Sequence, residues 1–137
     1  MNWHSGIIIP GYGVASGKGN DRRYPAGTLR LQQPFFLEKG IDLSPYFLGT
    51  VNVDLAPFKP VPQHPLFDGH IRWAEDIEER FVISPVEFKF RGLQYSGLWY
   101  YPHPETKPGH VQLKTVAELL LPWIDGLATG EAVLVGL

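Results

Sequence analysis

The chain has 137 residues, a formal net charge of −2 and no cysteine, which predicts one domain with an apolar core and excludes disulfides and thiolate metal sites. Hydrophobic residues make up 44% of it, which excludes a disordered segment, and the small net charge offers no field to recruit nucleic acid or an anionic membrane. No apolar run reaches membrane-spanning length and the first residues lack signal-peptide features, so a cytoplasmic protein is expected.

Frequent glycine and proline, with 13% aromatic residues, predict short strands and tight turns. The first expected strand covers 6–9, or 7–16 if it runs on to the glycine-containing loop. The following expected elements are strands at 28–36 and 49–55, a proline-rich connection at 56–69, one helical turn at 74–80, strands at 80–83, 86–90 and 93–101, a helix at 115–121 and a strand at 132–135. Arg91 and Gly92 suit a hairpin turn. Thr115 and Glu118 match a capping box, and Pro122 would end that helix. So many short strands in one small domain favour a closed barrel.

A glycine-containing loop, SGKGN at 16–20, follows the first expected strand. Successive backbone N–H groups in such a loop can surround a phosphate, and glycine permits close approach. The spacing matches neither a Walker A loop nor a dinucleotide-binding fingerprint. A solvated surface turn is the alternative, and the motif alone favours it.

The clearest alternation is GTVNVDL at 49–55, where Thr50 and Asn52 would project from one face. Hydroxyl and amide oxygens suit Mg²⁺, which commonly keeps waters and takes substrate phosphates. The alternative is the solvent face of a half-buried strand, and without further context it is favoured. The aromatic run 99–101 could stack on a planar ligand, although core packing is the commoner role. The histidines show no zinc-ligand spacing.

Taken in order, the glycine loop, Pro45-Tyr46, GTVNV at 49–53, FKFRGLQYSG at 88–97, ETKPGH at 105–110 and TVAELLLP at 115–122 resemble the archaeal CTP-dependent riboflavin kinase family over nearly the whole chain. The most specific element is Pro45-Tyr46 with GTVNV, similar to the family's proline-tyrosine plus GTLN signature. The resemblance implies a mainly β fold: a small six-stranded cradle-loop (RIFT-type) β-barrel with one or two short helices, as a single domain over 1–137.

The resemblance also implies an activity, transfer of the CTP γ-phosphoryl group to the riboflavin 5′-hydroxyl with Mg²⁺ as cofactor. It implies that Thr50 and Asn52 bind the metal and that Thr106 and Glu118 contact the flavin. The implied nucleotide-binding residues are Gly17, Lys18, Gly19, Asn20, Asp21 and Arg22. The expected partners are therefore a nucleoside triphosphate and riboflavin or a similar small molecule, with no nucleic acid and no membrane, and the oligomeric state stays open.

Two departures from the family pattern keep a second class open. Asp21 stands where the family has a glycine, and no arginine follows Pro122, where the family has a leucine-arginine pair that contacts the nucleotide. These departures favour a non-catalytic barrel that binds a flavin, a nucleotide or another small anionic ligand, whereas Thr50 and Asn52 favour the kinase. A partner-binding domain that uses 56–65 is a third hypothesis. The catalytic residues stay unknown, with Asp21, Asp54 and Glu118 as alternative general bases.

Overall fold

The structure is a computed structural model that describes residues 1–10, 28–103 and 114–137. Its described elements are β1 (Trp3–Ile9), α1 (Thr28–Glu38), β2 (Val51–Asp54), β3 (Phe67–Ala74), β4 (Ile77–Phe90), β5 (Leu93–Pro102), β6 (Val116–Leu120) and β7 (Ala132–Gly136). The protein is therefore mainly β with one short helix in the described part of the chain. No described helix has the length and apolar character needed to cross a membrane.

The strands form one antiparallel sheet in the order β3-β4-β5-β6-β2-β1-β7, and β4 pairs with β7 as well. This additional pairing closes the six strands other than β3 into a ring. The 14-residue β4 makes the closure possible, because its first half pairs with β3 as far as Ile83 and its second half pairs with β7 from Glu87. Between these stretches lies Pro85, which has no N–H to donate and suits an edge without a neighbour.

Strand alternation produces two cores, one on each face of the sheet. The inner core fills the ring and includes Val53, Phe88 and Leu119. The outer core lies where α1 and β3 pack against the outside of the ring, and it includes Phe36 and Leu120. Because Leu119 and Leu120 are consecutive on β6, this single strand contributes to both cores.

The two longest wrong predictions of element type concern residues 28–36 and 115–121. Residues 28–36, predicted as a strand, lie in α1, where Leu29, Gln32 and Phe36 form the buried face at helical spacing. Residues 115–121, predicted as a helix, contain β6, which pairs with β2 and β5. Burial between two partner strands outweighs a local capping-box pattern, since most helical stability comes from tertiary packing rather than local signals.

Other predictions were refined by the structure. The expected helical turn at 74–80 is wrong: Ala74 ends β3, residues 75 and 76 form a tight turn, and 77–80 begin β4. The strand β3 itself was not expected. The strands expected at 80–83 and 86–90 are one strand, β4. The hairpin turn is confirmed: Arg91 and Gly92 have φ values of 51° and 79°, and positive φ at both central residues defines a type I′ turn. The strands expected at 6–9, 49–55, 93–101 and 132–135 are confirmed as β1, β2, β5 and β7.

Candidate functional site

A row of polar side chains crosses the outer face of the ring. Asn52 on β2 is the direct antiparallel partner of Glu118 on β6, and Ile9 on β1 is the partner of Asn52 on the other side. Directly opposed residues have Cβ atoms about 4.5–5.5 Å apart. The pairing register therefore makes neighbours of Asn52 and Glu118, which are far apart in the sequence. The resemblance had predicted a metal contact for Asn52 and a flavin contact for Glu118.

This row is not an ordinary wet face. Asn52 is only 6% exposed, and Thr50 and Glu118 are half-buried. Val53 and Leu55 are buried in the inner core and Val51 packs against it, which confirms the predicted apolar side of GTVNVDL. The polar side was interpreted as either a solvent face or a ligand site, and the burial of Asn52 argues against the solvent face.

Asp54 has a local structural role. Its Oδ1 accepts a hydrogen bond from the backbone N–H of Ala56 at 3.0 Å. An Asp side chain bonded to the backbone two residues later forms an Asx-turn. Asp54 thereby stabilises the turn that ends β2.

Tyr100 extends the polar row across β5. Trp99 pairs with Leu119, so the next residues of the two antiparallel strands are Tyr100 and Glu118. The Tyr100 hydroxyl donates a hydrogen bond to Oε1 of Gln32 on α1 at 2.8 Å. Burial raises the pKa of Tyr100 well above its usual value, the charges of Glu79 and Glu118 raise it further, and the hydrogen bond to Gln32 opposes this shift. Tyr100 is thus a neutral hydroxyl beside the carboxylate of Glu118.

Another carboxylate on the outer face, that of Glu79, is buried. Glu79 on β4 is 6% exposed, and its Oε1 accepts a hydrogen bond from the indole Nε1–H of Trp73 on β3 at 3.1 Å. A buried carboxylate needs such donors, because its desolvation is costly without them. Glu79 therefore belongs to the packing of β3 on β4, although its charge reaches Tyr100.

The donor set of the row fits a hard cation. Thr50, Asn52 and Glu118 offer a hydroxyl, an amide oxygen and a carboxylate, which are the oxygen ligands that Mg²⁺ accepts alongside water and phosphate. Among the described residues no group of three or more His, Asp or Glu side chains could hold a metal ion. A cation on this row could take the one carboxylate of Glu118, and it would otherwise depend on the neutral oxygens of Thr50 and Asn52 and on oxygens of a bound substrate.

Part of the predicted site lies outside the described residues. These predictions concern Gly17, Lys18, Gly19, Asn20, Asp21, Arg22 and Thr106. The aromatic run is described, and its members divide between the two faces: Trp99 belongs to the inner core and Tyr100 to the outer core. Core packing is thus confirmed for both, and the run does not form one stacking surface.

Sequence reasoning missed Gln32 and Tyr100 as a polar pair. Gln32 is fully buried, yet 28–36 was interpreted as a strand, so nothing placed its amide on a buried helix face. The available signal was the spacing of Leu29, Gln32 and Phe36, which repeats at helical intervals. Neighbours across the sheet are set by the pairing register of the strands, which the sequence alone does not give.

Comparison with known proteins gives no identification. No protein-family model matches the chain. No curated protein matches it either.

Proposed function

We propose that this protein is a phosphotransferase of the CTP-dependent riboflavin kinase type on a cradle-loop barrel. The observation that carries the proposal is the pairing of Asn52 with Glu118. Phosphoryl transfer requires a metal-held phosphate and an acceptor hydroxyl to meet in line. A metal ligand and a flavin-contacting carboxylate on directly opposed strand positions provide this proximity. The closed ring of six strands supports the barrel part of the proposal.

Each side chain of the row has a role in this proposal. Thr50 and Asn52 would hold Mg²⁺, which neutralises phosphate charge when bound. Glu118, as a carboxylate, would accept hydrogen bonds from hydroxyl groups of the flavin substrate. Tyr100 on β5 lies next to Glu118 and is held by its hydrogen bond to Gln32. Because Asn52 lies between two paired strands, its position is fixed before substrate binds.

The direct test is incubation with riboflavin, Mg²⁺ and, in separate reactions, CTP, ATP, GTP or UTP, followed by chromatography for FMN. We expect FMN with CTP. Absence of FMN with every donor would overturn the kinase proposal. Quenching of riboflavin fluorescence without turnover would instead support the alternative, a non-catalytic flavin-binding barrel.

Variants of the row separate the roles. Asn52→Ala should lower activity by about 10- to 100-fold, as removal of metal-site groups commonly does, with partial recovery at higher Mg²⁺ concentration. Glu118→Gln should raise the KM for riboflavin without changing the Mg²⁺ requirement. The matched control is Gln94→Ala, which removes an amide from an exposed position of β5. Loss of activity in Asn52→Ala with an unchanged Mg²⁺ dependence would contradict the metal role.

A further inference from the structure

A cavity of about 490 Å³ opens on the inner side of the ring. Ser84, Pro85 and Trp99 supply its wall from β4 and β5, His4 lines it from β1, and residues 58–64 of the proline-rich connection lie across it. It lies at the stretch of β4 between the partners Ile83 and Glu87, where neither β3 nor β7 pairs with it. A volume of this size is typical of small-molecule sites.

Ser84 is a buried polar residue in the wall of this cavity. It is 6% exposed, and its Oγ has no hydrogen-bond partner among the described residues. A buried hydroxyl without a partner is destabilising. The Oγ exposes almost no surface even toward the cavity, and the neighbouring inner residues Val86 and Phe88 are apolar. Recognition of a ligand therefore falls to the other side chains of the lining.

The charges of the lining select the ligand. Lys59 contributes a cation, and His4 and His64 contribute imidazole rings. None of the described residues that line the cavity is acidic. The cavity therefore favours an anion over a cation or a neutral molecule.

Apart from Asn2 and Gln63, the rest of the lining is apolar and partly planar. The indole of Trp99, only 4% exposed, forms part of the wall. The Phe58 ring stacks on the His4 ring with a centroid distance of 3.7 Å and an interplanar angle of 3°. This stacking joins the proline-rich connection to β1, so the side chains that face the cavity are held in place without a ligand.

We infer that this cavity binds a small organic anion with an apolar, planar body, its charge near Lys59 and its body against Trp99. The site is independent of the proposed kinase function. Ser84 and Trp99 face the inner side of the ring, whereas Asn52, Glu118 and Tyr100 lie on the outer face. Failure of one proposal therefore leaves the other unaffected.

The first test is a fluorescence titration with two probes that share a planar apolar body. The probes are 8-anilinonaphthalene-1-sulfonate, an anion, and N-phenyl-1-naphthylamine, which is neutral. The anion should bind to the folded protein, and Lys59→Gln should weaken its binding by about three- to tenfold, since the charge is exposed and partly screened. Lys39→Gln, at an exposed lysine outside the cavity, should change nothing.

The neutral probe should bind more weakly than the anion and should not respond to Lys59→Gln. Added NaCl should likewise weaken the anion alone. The proposal is overturned if the folded protein does not bind the anion. It is also overturned if Lys59→Gln binds the anion within twofold of the unchanged protein, or if the neutral probe binds equally well.

A second test needs no variant. The chain has four tryptophans, so its assigned ¹H–¹⁵N spectrum contains four indole signals. Addition of the anionic probe should move the Trp99 signal and leave that of Trp123, which is 68% exposed and outside the cavity, in place. Movement of Trp123 with Trp99 unchanged would show binding elsewhere and contradict the proposal.

Discussion

Gln32 and Tyr100 form a pair of polar side chains buried inside the outer core. Gln32 is fully buried and Tyr100 is 1% exposed, and they share one hydrogen bond of 2.8 Å. The Gln32 Nε2 has no partner among the described residues. The hydrogen-bonding capacity of the pair is therefore not fully used. The change in the free energy of unfolding on substitution depends on which polar atom is left without its partner.

A double-mutant cycle tests this dependence. Tyr100→Phe and Gln32→Leu should each lower the free energy of unfolding by about 1–3 kcal/mol, because each leaves a buried polar atom without its partner. The double variant should lose less than the sum of the two, by about 0.5–3 kcal/mol. Urea unfolding of the four proteins measures the difference. Additive losses would show that the hydrogen bond contributes nothing to stability.

At the scale of elements, β5 and β6 approach each other closely at Gly97. A Cβ added at Gly97 would lie 2.4 Å from the backbone oxygen of Leu120 and 2.6 Å from its neighbour Leu121 Cδ2. Neither a backbone carbonyl nor the packed inner core yields easily. Glycine at this position thus allows β6 to lie beside β5, and β6 in turn carries Glu118 to its place beside Asn52.

Gly97→Ala should lower the free energy of unfolding by about 3 kcal/mol or more, since overpacking costs 1–3 kcal/mol even without a backbone clash. Gly69→Ala on β3 is the matched control. Its added Cβ would meet only the ring of Phe67 at 3.0 Å, a side chain that can turn aside, so a change within about 1 kcal/mol is expected. Chemical denaturation of both variants measures the contrast, and equal losses would contradict the close approach of β5 and β6.

For the molecule as a whole, the two cores share one sheet. The inner core lies within the ring and the outer core lies beneath α1 and β3. The strands β4, β5 and β6 contribute side chains to both cores. Unfolding of one core therefore disrupts strands on which the other core depends. The protein should therefore unfold as one cooperative unit.

Leu119→Ala and Leu120→Ala test this cooperativity of unfolding at adjacent positions. Both leucines are fully buried, one in the inner core and one in the outer core. Each substitution should lower the free energy of unfolding by about 2–5 kcal/mol. Tryptophan fluorescence and far-ultraviolet circular dichroism should still report one coincident transition. Two separate transitions, each shifted by only one of the variants, would show that the cores unfold independently.

The sequence by itself determined the features that depend on neighbouring residues. Alternation over 49–55 placed Val53 and Leu55 in a core, and Arg91-Gly92 specified a two-residue hairpin with its positive φ angles. Such signals are local: a strand face has a period of two residues, and a type I′ turn demands particular backbone angles. They were sufficient to predict a mainly β protein made of short strands.

Only the tertiary structure decided what depends on partners distant in the chain. Residues 116–120 form a strand because β2 and β5 lie on either side, and α1 is a helix whose buried face meets the outer core. The pairing of Asn52 with Glu118 follows from strand register, which the hydrophobic pattern of one strand does not contain. The inner cavity likewise arises where β3 and β7 leave part of β4 unpaired. The residues of both proposed sites are present in the sequence, but long-range pairing brings them together.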